Sequence, residues 1–460
     1  ITIEDYPFPA TLKKALLHTQ KAFNLDDNLY EDVWPGYLLK RMPMAYWSPN
    51  FTCVLNTSEK PDGFQDTDIL LNGNPVYYQE KPPFGPFMEK VWDSINPIYL
   101  LALQEWEEFR FNDVLFHEGF HTFQQLDPVL KDNYEKPADQ PFFPIYNPDF
   151  YALGYLEQQI LKEAMLSKEK TTIKALLAKY LLVLNHRQRY LNERSLDYEM
   201  KSNFHEGTAT YVGYRSAVLL TNQNLVLAQM AKRLDKELIN PGDWRNRGYG
   251  VGGSLAFLFD IVKPGWIEQL NPESTLKELV EEIVINEKCE KLSLIKKRYD
   301  YKSIYSDFKN KSKKEKDRLI EISRLIVEVD HVEITLPKDI KDLGMNYDPL
   351  GIDRVSEMVI FHQNSLMVWT DFGFSLNSNG QGLLAELNEK DLFNINKLLF
   401  AWNKDASITI DGEKMDEFPS NGIYKFLNIE MEGLSLEIEN VEVKTKVKGG
   451  IRIIELDIIH

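Results

Sequence analysis

His117, Glu118 and His121 stand inside the stretch FNDVLFHEGFHTFQQ (111–125) as an H-E-x-x-H motif. On a helix, residues four apart lie one turn apart on the same face. Both imidazoles then project together and can fill two corners of a tetrahedral zinc site. Glu118 would sit about 100° around that helix, near enough to reach a water beside the ion without taking a ligand position. Hydrolysis needs this division of labour: the ion acidifies a water, and the carboxylate takes the proton as the water attacks a carbonyl. With eight histidines in 460 residues, chance would produce the motif in roughly one chain in a hundred. The neighbours Val114, Leu115, Phe116, Phe120 and Phe123 make the stretch strongly apolar. The histidines are therefore polar groups in a buried element and need partners. A metal supplies one.

A catalytic zinc takes three protein ligands and keeps a fourth position open. Two carboxylates compete for the third place. Glu206 lies in NFHEGTATY (203–211). On a helix from about Tyr198, Glu199, Asn203, Glu206 and Thr210 make a polar stripe at i, i+4, i+7 and i+11. The small Gly207 and Ala209 beside Glu206 would let two helices approach closely, as a shared metal requires. Asp127, six residues after His121, is the rival. That arrangement needs a glycine where the chain turns sharply, and Gln124 occupies the position. Asp127 reads better as the residue that starts a loop before Pro128, and Glu206 is preferred.

HEGFH followed by a helix carrying E-G-T-A resembles the gluzincin type of zinc metallopeptidase, over about residues 111–214. The resemblance implies that His117, His121 and Glu206 are the ligands of a Zn2+ ion and that Glu118 is the general base. Two features depart from the pattern. Glu206 follows His121 by 85 residues, a longer separation than in thermolysin-like members. Thr210 stands where an aspartate often holds the first histidine, which leaves Asp113 or Glu199 for that orienting role. Attack on a carbonyl builds negative charge on its oxygen, so a donor is expected opposite the metal. Tyr249, in the glycine-rich RNRGYGVGG (245–253), is the first choice as that catalytic residue; Arg247, Tyr211 and Tyr214 are alternatives. His205 points about 100° away from Glu206 and is read as lying behind the ligands or on the surface. His186, His331 and His362 have no companion at ligand spacing and are read as structural.

The hydrophobic pattern supplies the elements that must position these residues. Residues 1–40 read as amphipathic helix around Leu12, Ala15, Leu16 and Ala22, broken at Trp34-Pro35-Gly36. From Met42 to Tyr78 the pattern turns strand-like, with turns at Pro61-Asp62-Gly63 and Asn72-Gly73-Asn74. Loops are expected at 81–86 and 128–148, helices at 98–126, 151–168, 171–195 and 198–220, and a glycine-rich loop at 242–253. After about 330 the chain alternates in short runs, such as VEITL, ASITIDG and IRIIELDII, as antiparallel strands do. The expected fold class is α+β: a mostly helical zincin-like catalytic domain with a small N-terminal sheet over 1–329, then a C-terminal antiparallel β domain over 330–460.

A net charge of −17 argues against nucleic acid or an anionic membrane as partner, and no apolar run is long enough for a membrane span. Cys53 and Cys289 make no metal-binding pair and are expected to be two buried free thiols. A chain that starts at Ile1 rather than Met leans the expected location toward an exported, periplasmic or extracellular protein. The implied partner is a peptide or protein substrate, with the oligomeric state left open. Cobalt or manganese would fit the same donors. Two further readings accompany the peptidase: a catalytically silent binding or scaffold protein of zincin fold, and a zinc hydrolase of a non-peptide amide or ester.

Overall fold

In the computed structural model, the described residues are 2–80 apart from 49 and 58, 98–101, 107–131, 147–221, 226–236, 247–311, 313–314 and the strands and turns within 331–458. The fold is mixed α+β, with sheets toward both ends of the chain and helices between them.

Helix α1 (Ala10–Phe23) buries Leu12, Ala15, Leu16 and Ala22, one face at helical spacing. Helix α2 (Asp27–Val33) is capped by Asp26, whose side chain accepts from the Asn28 amide at 2.8 Å. Four antiparallel neighbours follow: β1 (Met44–Ser48), β2 (Phe51–Leu55), β3 (Gln65–Leu71) and β4 (Asn74–Gln79). The β3–β4 turn has φ of 48° at Asn72 and 78° at Gly73, the left-handed pair that a two-residue hairpin demands. A fifth strand, β5 (Ile98–Leu101), pairs parallel to β1 at the sheet edge, giving the order β3-β4-β2-β1-β5. The expected helix over 98–126 is thus corrected: Ile98–Leu101 is strand, and the helix starts only at Glu108. A four-residue apolar run reads equally as a buried strand or a buried helix. Here it pairs with β1 as a strand.

The helices are α3 (Glu108–Leu126), α4 (Pro148–Leu166), α5 (Lys170–Arg187), α6 (Glu193–Thr221), α7 (Val226–Lys236), α8 (Arg247–Val262), α9 (Leu276–Val284) and α10 (Leu292–Arg298). Caps are legible in the sequence. Asn147 accepts from the amides of Asp149 and Phe150 before Pro148, and Thr275 and Glu278 form a capping box on α9. The centre of the arrangement is α6, which packs on α3 along one side and on α8 along another. Residues 247–253, expected as loop, are the first turns of α8. Glycine costs a helix about 1 kcal/mol per residue relative to alanine, and tight packing against α6 overrides that cost.

Behind this junction lies a buried charge cluster. Arg187 of α5 donates to Glu157 of α4 through Nε at 2.7 Å and Nη2 at 3.2 Å, and to Glu199 of α6 through Nη1 and Nη2 at 2.7 Å. Arg247 of α8 also bonds to Glu157. All four side chains are buried.

The C-terminal strands are β6 (His331–Thr335), β7 (Ile352–Val355), β8 (Glu357–His362), β9 (Ser365–Thr370), β10 (Gly373–Leu376), β11 (Lys397–Ala401), β12 (Ser407–Ile410), β13 (Glu413–Met415), β14 (Gly422–Met431), β15 (Leu434–Lys448) and β16 (Ile451–Ile458). They join in one sheet, antiparallel except where β16 pairs parallel to β6. Both cysteines are free, but only Cys53 is buried; Cys289 is exposed, against the expectation of two buried thiols. The expected loop at 81–86, most of that at 128–148, and Arg245 lie outside the described residues.

Candidate metal centre

Helix α3 carries the H-E-x-x-H motif on its face toward α6. Phe111, Leu115, Phe116 and Phe120 anchor its other side in the core, so burial fixes how far the helix is rotated and which residues look at α6. His117 is buried and His121 half-buried, their Nε2 atoms 3.0 Å apart. Glu206 of α6 is 1% exposed, and its Oε2 lies 3.3 Å from each Nε2. The three donor atoms form one group, all within 4.8 Å of one another.

This donor set fits a metal ion. Ligand atoms 2.0–2.1 Å from a tetrahedral ion stand about 3.3–3.4 Å apart, and the three separations here are 3.0, 3.3 and 3.3 Å. A buried carboxylate facing two imidazoles also suits a cation, because a buried charge needs compensation. Two histidines and a glutamate suit zinc; metal identity does not follow from the donors alone.

Close helix approach is achieved by a different glycine from the one expected. A Cβ on Gly213 would meet Asp113 Oδ1 at 2.8 Å and His117 Cβ at 3.2 Å, so Gly213 lets α6 lie against α3. Gly207 instead faces the backbone of α8 at Gly252.

The other expected residues separate clearly. Asp127 ends α3 and accepts from the amides of Val129 at 2.8 Å and Leu130 at 3.1 Å. Its carboxylate is a turn-former, outside the donor group. Of the two residues suggested for orienting the first histidine, Glu199 is held by Arg187, whereas Asp113 lies buried beside His117 and is bonded by Arg110. Arg247 is buried against Glu157, so its guanidinium belongs to the charge cluster. Tyr211 donates to Asp260. Tyr214 packs edge-on to Phe109. Tyr249, on α8 rather than in a loop, lies against the centre: its ring stacks on His117 with centroids 5.3 Å apart and planes 12° from parallel. His205 is buried rather than on the surface, and its ring lies 4.2 Å from that of His121. His186 is half-buried, with Nδ1 3.1 Å from the Leu182 carbonyl; the side chains of His331 and His362 lie outside the described residues.

Two residues at the centre carried no functional reading in the sequence. Arg233 of α7 sits over the Tyr249 ring at 5.1 Å, and an isolated arginine on an amphipathic helix gives no signal. Gln124 Oε1 lies 2.8 Å from His121 Nδ1. Its position three residues after His121, polar on a buried face, was the available sign.

The electrostatics treat the two histidines oppositely. Burial is the largest influence on His117 and takes its pKa down to about 4, with His121 and Arg233 adding to the effect against Glu206. Burial also works to lower His121, but Glu206, Glu118 and Gln124 outweigh it and leave that pKa raised. Stability of the metal-free protein follows. At His117 the unfolded chain binds a proton below about pH 6.5 that the folded chain refuses, so stability falls as the pH drops toward about 4. At His121 the folded chain holds the proton more tightly. That contribution is present below about pH 6.5 and disappears as the pH rises through the folded pKa. The pair therefore favours folding most near the ordinary histidine range. Urea midpoints measured across that range should give a flatter profile once both histidines are changed to glutamine; an unchanged profile would contradict the assignment.

Compared with known protein families, curated proteins and solved structures, the chain gives no match, so its functional reading rests on this geometry.

Proposed function

We propose that the chain is a zinc-dependent peptidase of the gluzincin type, hydrolysing peptide bonds. The observation that carries the reading is the convergence of His117 Nε2, His121 Nε2 and Glu206 Oε2 from two helices, with Glu118 one residue after the first histidine. His117, His121 and Glu206 would hold the ion. When bound, the ion supplies Lewis-acid chemistry, acidifying water and polarising a carbonyl.

The chain's own residues do the rest. Glu118, half-buried on α3 and near enough to His121 to raise its pKa, takes a proton from water as the water oxygen attacks the carbonyl carbon. It then returns the proton to the departing amine nitrogen. Tyr249 offers a phenol beside His117 to stabilise the developing oxyanion, and the Arg233 guanidinium over its ring favours negative charge there. Gly213 lets α6 lie close against α3 at Asp113 and His117.

The test uses the full chain, loaded with zinc, on an unbiased peptide mixture read by mass spectrometry. Cleavage that stops on chelation and returns with zinc is the expected result, and the positions of the cuts would distinguish an endopeptidase from an aminopeptidase. Glu206→Ala should bind less than a tenth of the wild-type zinc under the same conditions, because a two-histidine remnant lacks the third ligand. A zinc-loaded wild type that cuts no peptide would overturn the peptidase reading.

A further inference from the structure

Gln124 joins the two ligand-bearing helices at one point. Its Oε1 lies 2.8 Å from His121 Nδ1, and its Nε2 donates to the His205 carbonyl at 2.9 Å and to Thr208 Oγ1 at 2.8 Å. Gln124 is 1% exposed and Thr208 fully buried. Neither end of the amide can be reversed without loss. The His205 carbonyl only accepts, so the amide nitrogen must face it. The amide oxygen then faces His121, which must present Nδ1–H to it. In the neutral ring a proton on Nδ1 leaves the Nε2 lone pair bare, and Nε2 is the atom that meets His117 and Glu206. Thr208 closes the chain by donating to the Phe204 carbonyl at 2.7 Å, so its oxygen can accept from the amide.

We infer that Gln124 is the positioning residue of the metal centre: it fixes His121 in the Nδ1–H tautomer and ties that histidine to the turn of α6 that carries Glu206. This rests on the metal-binding reading of the same site. The role differs from that of a lone carboxylate behind a histidine, because one side chain sets both a ligand's tautomer and the spacing between two ligands from different helices. Glu206 stands between His205 and Thr208 in the chain, so the bonds from Gln124 bracket the third ligand in sequence.

Partners behind a ligating histidine typically contribute 10–100-fold to metal affinity. Gln124→Met keeps the length and removes all three bonds. It should weaken zinc affinity, measured by chelator competition, by about 10–100-fold, and should change the visible spectrum of the cobalt-substituted protein. Gln124→Glu retains an acceptor for His121 Nδ1–H while losing the donor to α6, and should recover part of the lost affinity. A merely structural role would lower metal-free stability in both variants and leave the cobalt spectrum unchanged. Long-range proton–nitrogen NMR correlations on zinc-loaded wild type read the tautomer with no substitution at all. Protonation of His121 at Nδ1 is expected; metal bound through Nδ1 would overturn the inference whatever the variants do. Wild type that binds neither zinc nor cobalt would overturn the metal reading itself. Tight wild-type binding matched by Gln124→Met would overturn only the role of Gln124.

Discussion

On the proposed peptidase reading, replacing Glu118 by alanine should lower peptide cleavage by about a thousandfold, the middle of the range for losing a general base, while zinc content should stay at the wild-type value. The two outcomes separate because Glu118 is outside the donor group of His117, His121 and Glu206. Its rotation of about 100° from His117 on α3 places it beside the ligand face. Glu118→Gln should resemble the alanine variant, since the amide keeps the size but cannot take the proton. Both variants should lose turnover with little change in KM, the pattern of an interaction made in the transition state rather than the ground state. The comparison needs equal metal loading, verified for each sample. Retention of more than a tenth of wild-type turnover in the zinc-loaded alanine variant would remove Glu118 from the mechanism.

The second large effect belongs to a residue that touches no substrate. Gly252→Ala should destabilise the protein by about 3 kcal/mol, the upper end of typical overpacking costs. A Cβ there would run into the backbone carbonyl oxygen of Asn203 on α6, and would also lie 2.7 Å from Gly207 Cα. Backbone cannot turn aside as a flexible side chain can, so the two helices must separate. Gly253→Ala is the informative control. Its nearest neighbour would be the Met230 methyl at 2.9 Å, then Thr210 Cγ2 at 3.1 Å, and a methionine end can move. That variant should cost about 1 kcal/mol. Because α8 also carries Tyr249, Gly252→Ala should lower cleavage by more than its folded fraction explains, with zinc affinity less affected than turnover. Urea unfolding at wild-type stability for Gly252→Ala would disprove the tight α6–α8 contact.

How much of this could be read in advance depended on whether the signal was local. The spacing of His117 and His121 is a property of one helix and was plain, as was the alternation of the C-terminal strands. Glu206 was reachable because its polar stripe interrupts an apolar helix, but which glycine made room for α3 was not. Gly207 and Gly213 both lie on α6, and only the packing assigns one to α8 and the other to α3. The run RGYGVGG reads as loop because glycine disfavours helix when helix is all it forms. Against Ser202, Asn203 and Gly207 of α6 the missing side chains are what allow the contact. In the sequence Gln124 stands out only for not being glycine, and two of its three bonds run to residues more than eighty positions away. Ile98–Leu101 could not be told from the start of a helix until its partner β1 was known.

The buried quartet of Arg187, Glu157, Glu199 and Arg247 bears on how this sequence can change over generations. Four helices each contribute one member, and the opposite charges compensate one another in the interior. Arg187 and Glu157 each bridge two members, and removing any one of the four leaves the buried cluster one charge out of balance. Every single step away thus passes through an uncompensated buried charge, whereas a complete apolar replacement of similar volume can be as stable as the original. Neighbouring substitutions of this kind do not add independently. The route is therefore closed to one-at-a-time drift and open only to coordinated change. Glu199 shares α6 with Glu206, and Arg247 lies two residues before Tyr249. The same constraint that locks the quartet also limits how far the helices bearing the ligand and the phenol can wander in descent.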